Sequence, residues 1–310
     1  MPLRWVGHFS LIAFLTSVFF SQCACVQSNV RATEPQRQRP SLIKLSDPKS
    51  VEAHRPIVVA HRGGVVSKRS PECSLTAIRL AAAQGYDMVE LDIQISSDGI
   101  PIVFHDRSLK NACGTEGQVA DRTAKQLELI SYVDSKDRIV RLGTALELCH
   151  KLSLGVMLDL KAGRDSREFL QSINQLLKQN RLHDSTISIS GTSQARRHLK
   201  HVRFTPTDDE MRRLRSGESL DLSNRFWFGL PHRLQPNDVT RLKQAGALVI
   251  PAINTFRYPA SEHMDRARSD IKRLKMQRVD GFQIDSIYFP LIGKQTQQSL
   301  PIPANPRSKQ

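Results

Sequence analysis

Val58-Val59-Ala60-His61-Arg62-Gly63-Gly64 opens a stretch that closes with Ile102-Val103-Phe104-His105-Asp106. Between its ends lie Pro71-Glu72-Cys73-Ser74, Val89-Glu90-Leu91-Asp92-Ile93 and Asp98-Gly99. Ile57 to His61 is a short apolar run rich in β-branched residues and reads as a buried strand. Pro71 to Gln84 reads as a helix, with Ser70 as N-cap, Pro71 at the first position and Gly85 as its stop. Asp87 to Ile95 is a second strand. Ser97-Asp98-Gly99 is a hairpin turn, because Asp-Gly tolerates the positive φ such turns need. Ile100 to Phe104 is the returning strand.

The same alternation continues outward. Thr123 to Ile130 and Thr144 to Leu152 are helical, Leu154 to Leu160 is a strand, and Ser166 to Gln179 is an amphipathic helix. Thr186 to Ser190, His201 to Thr205 and Phe226 to Leu230 are strands, with a helix at Ser193 to Leu199. Asn237 to Gln244 is a helix, Leu248 to Ile253 a strand, Ser261 to Leu274 a helix, and Gly281 to Ile284 the last strand. Pro206 to Asn224 gives no clear pattern. About eight strands separated by helices or crossovers argue for a parallel sheet covered by helices. Eight such units predict a TIM-type (β/α)8 barrel, with a small β-hairpin insertion after the second strand. No Gly-x-Gly-x-x-Gly follows the first strand, which weighs against a dinucleotide site. The barrel is expected over residues 56–293.

In such a barrel the chemistry lies at the C-terminal ends of the strands. His61 and Arg62 end the first strand, followed by glycines that allow unusual dihedrals or close approach of a ligand. Glu90 and Asp92 alternate on the second strand and so share a face, opposite Val89, Leu91 and Ile93. Two adjacent carboxylates repel, so a metal or cations such as Arg62 and Lys161 must compensate. Oxygen ligands suit a hard cation, Ca²⁺ or Mg²⁺. The hairpin carries His105 back towards His61, where two imidazoles can act as general base and general acid. Asp159 and Lys161 alternate on the next strand. Asp159 can complete a metal site and Lys161 can hold an anion. Together these residues describe metal-assisted chemistry on a phosphate ester.

Composition bounds the surroundings. A 39% hydrophobic fraction and a 24% charged fraction are those of a chain able to bury a core, and the formal charge of +15 attracts anions. The cations are scattered, without interleaved aromatics, so nucleic acid is not expected as a partner; a small-molecule phosphodiester is, with an anionic membrane surface as a further partner. Arg4 followed by the mostly apolar Val6 to Phe20 and the small residues near Cys23 and Cys25 reads as a signal peptide over residues 1–25. Export to the periplasm or the extracellular space is expected. Residues 26–55 read as a linker and 294–310 as a tail. Cys73, Cys113 and Cys149 remain after cleavage, an odd number that suggests no disulfide framework.

His61-Arg62-Gly63, Pro71-Glu72, Glu90-Leu91-Asp92, Asp98-Gly99 and His105-Asp106 together resemble the glycerophosphodiester phosphodiesterase family. The likeness is dense from Ile57 to Asp106 and looser over Met157 to Lys161 and Val279 to Asp285. The resemblance implies a TIM-type barrel and a divalent cation held by Glu90, Asp92 and a third acidic residue, here Asp159. It implies His61 and His105 as the acid/base pair and Arg62 and Lys161 as phosphate ligands. It implies hydrolysis of a glycerophosphodiester to an alcohol and glycerol 3-phosphate. Three departures stand out: Cys73 in place of Asn, Asp159 in place of Glu, and Pro251-Ala252-Ile253-Asn254 in place of a Trp-Thr-Val-Asn segment. The last is expected to remove an aromatic wall near the substrate. Two alternatives stay open: a phosphodiesterase acting on lysophospholipid or sphingolipid diesters, and an inactive barrel that binds phosphoryl ligands.

Overall fold

The computed structural model describes residues 41–161, 166–189 and 191–294. The expected signal peptide at 1–25, the expected linker as far as residue 40 and the expected tail from 295 lie outside the described residues. Strands β1 (Ile57–Ala60), β2 (Met88–Ile95), β5 (Gly155–Leu160), β6 (Thr186–Ser188) and β7 (Arg203–Phe204) pair in parallel in that order. A parallel bridge from Phe204 to Arg225 leads to β8 (Phe226–Trp227), which pairs with β9 (Leu248–Val249). Pro251 lacks an N–H and divides that strand from β10 (Ala252–Ile253). Strand β10 pairs with β11 (Gly281–Ile284), and β11 returns to β1, with Ile57 opposite Gly281. The eight positions close the expected (β/α)8 barrel.

Alternation sorts the side chains. Val89, Leu91, Ile93, Val156, Leu158 and Leu160 join the outer core beneath the helices, while Ile57, Val59, Met88, Met157, Ile187 and Phe226 fill the barrel interior. The inward face of β2 therefore reads Met88, Glu90, Asp92, Gln94: apolar at the bottom, acidic and polar towards the top.

The helices follow the periodic pattern with local differences. Helix α2 spans Leu75–Gln84, and its N-cap is Ser74, whose hydroxyl accepts from the Ala77 N–H. Pro71 to Cys73 are thus outside the helix, where Cys73 takes a left-handed φ of 59° and donates its N–H to Arg62 O. The later helices are α5 (Leu142–Lys151), α6 (Arg167–Gln179), α7 (Ser193–His198), α8 (Asp208–Arg215), α9 (Asp238–Gln244) and α10 (His263–Met276). Helix α8 occupies the stretch that showed no pattern. Its capping box, Thr207 with Glu210, was a signal available in the sequence.

The excursion after β2 begins with the expected hairpin, β2 against β3 (Pro101–Val103), and continues through β4 (Val140–Arg141). It holds its own small core, including Ile102, Phe104, Leu109, Leu127 and Tyr132.

The linker reading fails from residue 41 on. Ile43, Leu45 and Val51 are buried in the barrel's interior cluster and close its N-terminal mouth. The Leu45 N–H donates to Asp184 O, and Ser185 donates to Ile43 O. Helix α1 (Pro48–Ala53), capped by Asp47, follows this plug. Three apolar residues spaced among polar ones give no periodic signal, so the segment reads as unstructured. The tail boundary also shifts by one: Lys294 pairs with the buried Asp87 and donates to His54 O and Pro56 O.

Candidate active site

Strand β1 delivers His61 and Arg62 into a tight turn. Arg62 itself is left-handed, at φ 53° and ψ 45°. Gly64 follows at φ 144°, where a Cβ would lie 2.1 Å from Ala77 O, so only glycine fits between the turn and α2. The turn aims the Arg62 N–H at Glu90 Oε2, 2.7 Å away, and swings its guanidinium to Glu72 Oε2 at 2.6 Å. Burial opposes the charge on Arg62, but Glu72 outweighs it and raises the guanidinium pKa.

His61 and His105 are each held by a carboxylate at Nδ1. His61 Nδ1 lies 2.6 Å from Asp285 Oδ1, and His105 Nδ1 lies 2.7 Å from Asp106 Oδ1 and 3.9 Å from Glu72 Oε1. A carboxylate at Nδ1 favours the tautomer with its proton there and leaves Nε2 for proton transfer. Asp285 also accepts from Thr255 through its N–H and hydroxyl. Burial pushes the Asp285 carboxyl up, but its bonds to His61 and Thr255 outweigh this and hold it below the ordinary carboxylate range.

Glu90, Asp92 and Asp159 converge from adjacent strands. One carboxylate oxygen from each lies within 4.8 Å of the others. Lys161 Nζ sits 2.6 Å from Asp92 Oδ1 and 2.5 Å from Asp159 Oδ2. Burial disfavours the Lys161 charge, but the two aspartates outweigh it and raise the ammonium pKa. Glu90 has no such partner. It is 2% exposed, and its Oε1 is buried without a hydrogen bond. Burial, then repulsion from Asp92, pushes its carboxyl well above the usual range. An orphaned oxygen beside two further carboxylates is a donor set that fits a hard divalent cation. Behind it, the Cys73 thiol lies 3.4 Å from Asp92 Oδ2. Burial raises the thiol pKa, as does Asp92, so it remains a donor. Cys73 thus supplies a donor to the cluster from a left-handed position where Asn would be at less cost.

His61, Arg62, Glu90, Asp92, His105, Asp159 and Lys161 all line one cavity of ≈ 420 Å³ at the C-terminal end of the barrel. Every site residue expected from the sequence is therefore in one place. Lys161 is paired with Asp92 and Asp159, the compensation that the strand carboxylates were expected to need, and Arg62, read also as a phosphate ligand, is paired with Glu72. The sequence reading missed Asp285, the partner of His61, which stands directly after the last strand. It missed the role of Glu72, placed in a helix rather than in the turn. It also missed Arg233 and Arg257 on the cavity wall. The expected loss of an aromatic wall does not leave the cavity bare, because Phe228 and Phe256 line it, with the Phe256 ring 6.2 Å from that of His61.

Residues 61–287 match the profile of the Glycerophosphoryl diester phosphodiesterase family. The chain belongs to this family. Over 115 residues it is 34% identical to glycerophosphodiester phosphodiesterase 1 of Mus musculus, a match covering 34% of each chain. It is 34% identical over 116 residues to a glycerophosphodiester phosphodiesterase of Caldanaerobacter subterraneus, covering 34% of this chain and 46% of that one. The chain thus spans about a third of the mouse relative's length and less than half of the bacterial one's. A solved Oleispira antarctica phosphodiesterase aligns with a TM-score of 0.59 and 21% identity, over 79% of this chain and 99% of that one. A glycerophosphoryl diester phosphodiesterase of Parabacteroides distasonis aligns at 0.60 and 15%, over 81% and 90%. At such identities these two likenesses speak for the family's barrel fold.

Proposed function

We propose that the protein is an exported, divalent-cation-dependent phosphodiesterase that releases glycerol 3-phosphate and an alcohol from glycerophosphodiesters. The observation that carries this reading is a single cavity holding two carboxylate-backed histidines beside three converging carboxylates. Family membership supports it. So does the Oleispira antarctica structure, solved in complex with the product sn-glycerol-3-phosphate.

Glu90, Asp92 and Asp159 would hold the cation. When bound there, Ca²⁺ or Mg²⁺ supplies positive charge to the phosphoryl oxygens and so offsets the charge that builds up in the transition state. The histidines move the protons. Nε2 of one takes the proton from the attacking hydroxyl, and Nε2 of the other gives one to the departing alkoxide. The attacking group is a hydroxyl of the substrate's own glycerol, which gives a cyclic phosphate that water then opens with the two roles exchanged. Asp285 and Asp106 keep the imidazoles oriented. A cation on Asp92 and Asp159 would free Lys161, their present partner, for the phosphoryl group, while Arg62, whose partner is Glu72, would meet that group from the same cavity wall.

His61→Ala and His105→Ala are each expected to abolish release of glycerol 3-phosphate from glycerophosphocholine while thermal unfolding stays within a few degrees of wild type. Retained turnover in either variant contradicts the assignment. Export rests on residues 1–25, and cell fractionation tests it: protein found only in the cytoplasm contradicts it. The charge of +15 supports attraction to an anionic membrane surface, tested by co-sedimentation with anionic vesicles. Failure to sediment with them contradicts that contact.

A further inference from the structure

A second cavity, ≈ 790 Å³, adjoins the catalytic one, and the two share Ile189, Phe228 and Arg233 in their walls. Anything tethered to a phosphorus in the first cavity can therefore extend past Arg233 into the second. The diester has such an extension: its alcohol arm must lie somewhere while glycerol phosphate occupies the catalytic end. The second cavity's floor is apolar, with Met211, Trp227 and Phe228. Its rim is basic, with Arg212, Arg215, His232 and Arg233 against the single carboxylate of Asp208. Arg212 is engaged by Asp209 and Arg215 by the buried Asp238. The side chains of His232 and Arg233, both exposed, have no hydrogen-bond or ion-pair partner among the described residues.

From this geometry we infer that the second cavity is the alcohol subsite, and that it selects alcohols carrying their own negative charge, with Arg233 as the specificity-determining residue. The inference rests on the phosphodiesterase reading above. An alcohol bearing a phosphate or carboxylate gains a charge-assisted contact with a guanidinium that has no competing partner. A cationic alcohol such as choline meets like charges there, and the carboxylate that would attract it is a single one. One such contact corresponds to about tenfold or more in kcat/KM.

Three diesters sharing the glycerol phosphate half separate the possibilities: glycerophosphoinositol 4-phosphate (anionic alcohol), glycerophosphoinositol (neutral) and glycerophosphocholine (cationic). The wild type is expected to prefer the first over the last by about tenfold or more. Arg233→Glu is expected to erase or invert that ratio, and Arg233→Lys to keep it. A general effect of Arg233 on catalysis would lower all three together and leave the ratio in place. Trp227 lies in the second cavity, and Trp5 is the only other tryptophan in the chain. Titration of inositol 4-phosphate, followed by tryptophan fluorescence, therefore reads occupancy without turnover, and the signal is expected to be lost in Arg233→Glu. Turnover of all three diesters within threefold, or an unchanged ratio in Arg233→Glu, overturns the subsite. Saturable binding of inositol 4-phosphate with no turnover of any diester overturns the phosphodiesterase reading and upholds the anion site. Neither binding nor turnover overturns both.

Discussion

Replacing Glu90 by Gln is expected to stabilise the protein in chelator and to abolish its response to divalent cations. The magnitude follows from the site. Glu90 is 2% exposed, and its Oε1 has no partner. At the 4.8 Å that bounds the cluster, an effective dielectric of about 20 makes each like-charged pair unfavourable by about 3.5 kcal/mol. Lys161 offsets this most for Asp92 and Asp159, with which it pairs directly, while Glu90 has the Arg62 N–H and only a weaker, through-space share of the Lys161 charge. The Gln amide keeps the acceptor for Arg62 and gains a donor towards the aspartates. A gain of about 1–3 kcal/mol is expected. For a barrel of this size each kcal/mol is worth about 2–4 °C in Tm. Because folding raises the Glu90 pKa, the penalty is absent below the unfolded value of about 4.3 and grows as pH rises from there towards the folded one, where it levels off. The difference between variant and wild type should therefore widen from pH 5 to pH 8. At a cation concentration of about 100 Kd the wild type should gain about 2.7 kcal/mol and the variant none. Differential scanning calorimetry in chelator, Mg²⁺ and Ca²⁺ reads all of this. A variant less stable than wild type in chelator, yet still stabilised by cation, refutes the assignment of Glu90 as a ligand.

Asp285→Asn should lower kcat by about 10²–10⁴ by removing the carboxylate that orients His61, with a smaller change in KM. Folding depresses the Asp285 pKa, so its contribution to stability is present above the unfolded value of about 3.9 and is lost as pH falls through the folded one. The Asn variant should flatten that acid limb in a series of melts from pH 6 to pH 3, and an unchanged limb speaks against the pairing. Lys294→Met leaves the buried Asp87 without its cation and should cost about 3–5 kcal/mol by urea unfolding. Adding Asp87→Asn should recover most of that loss; no recovery means that Lys294 acts otherwise.

The barrel was legible because its signals are local. The outer faces of β2 and β5 are apolar at every second residue, and longer helices such as α5 and α6 carry a 3.6-residue stripe that shows the buried side without any knowledge of neighbours. The catalytic end was legible for the same reason: Glu90 and Asp92 are carboxylates at inward positions of an otherwise apolar strand. What stayed hidden depends on contacts distant in sequence. Asp285 pairs with His61 across 224 positions. Ile43 and Leu45 are meaningful only once a barrel mouth exists to receive them. Ser74 rather than Ser70 caps α2 because Cys73 is locked to Arg62, a constraint that no propensity expresses.

The central claim is tested most directly by following glycerophosphocholine by ³¹P NMR with purified protein, in excess chelator and after adding back Mg²⁺ or Ca²⁺. The account predicts no product in chelator, stoichiometric glycerol 3-phosphate after addition of cation, and none under either condition for the Glu90→Gln variant. Full turnover in chelator, or turnover by that variant equal to wild type, contradicts it.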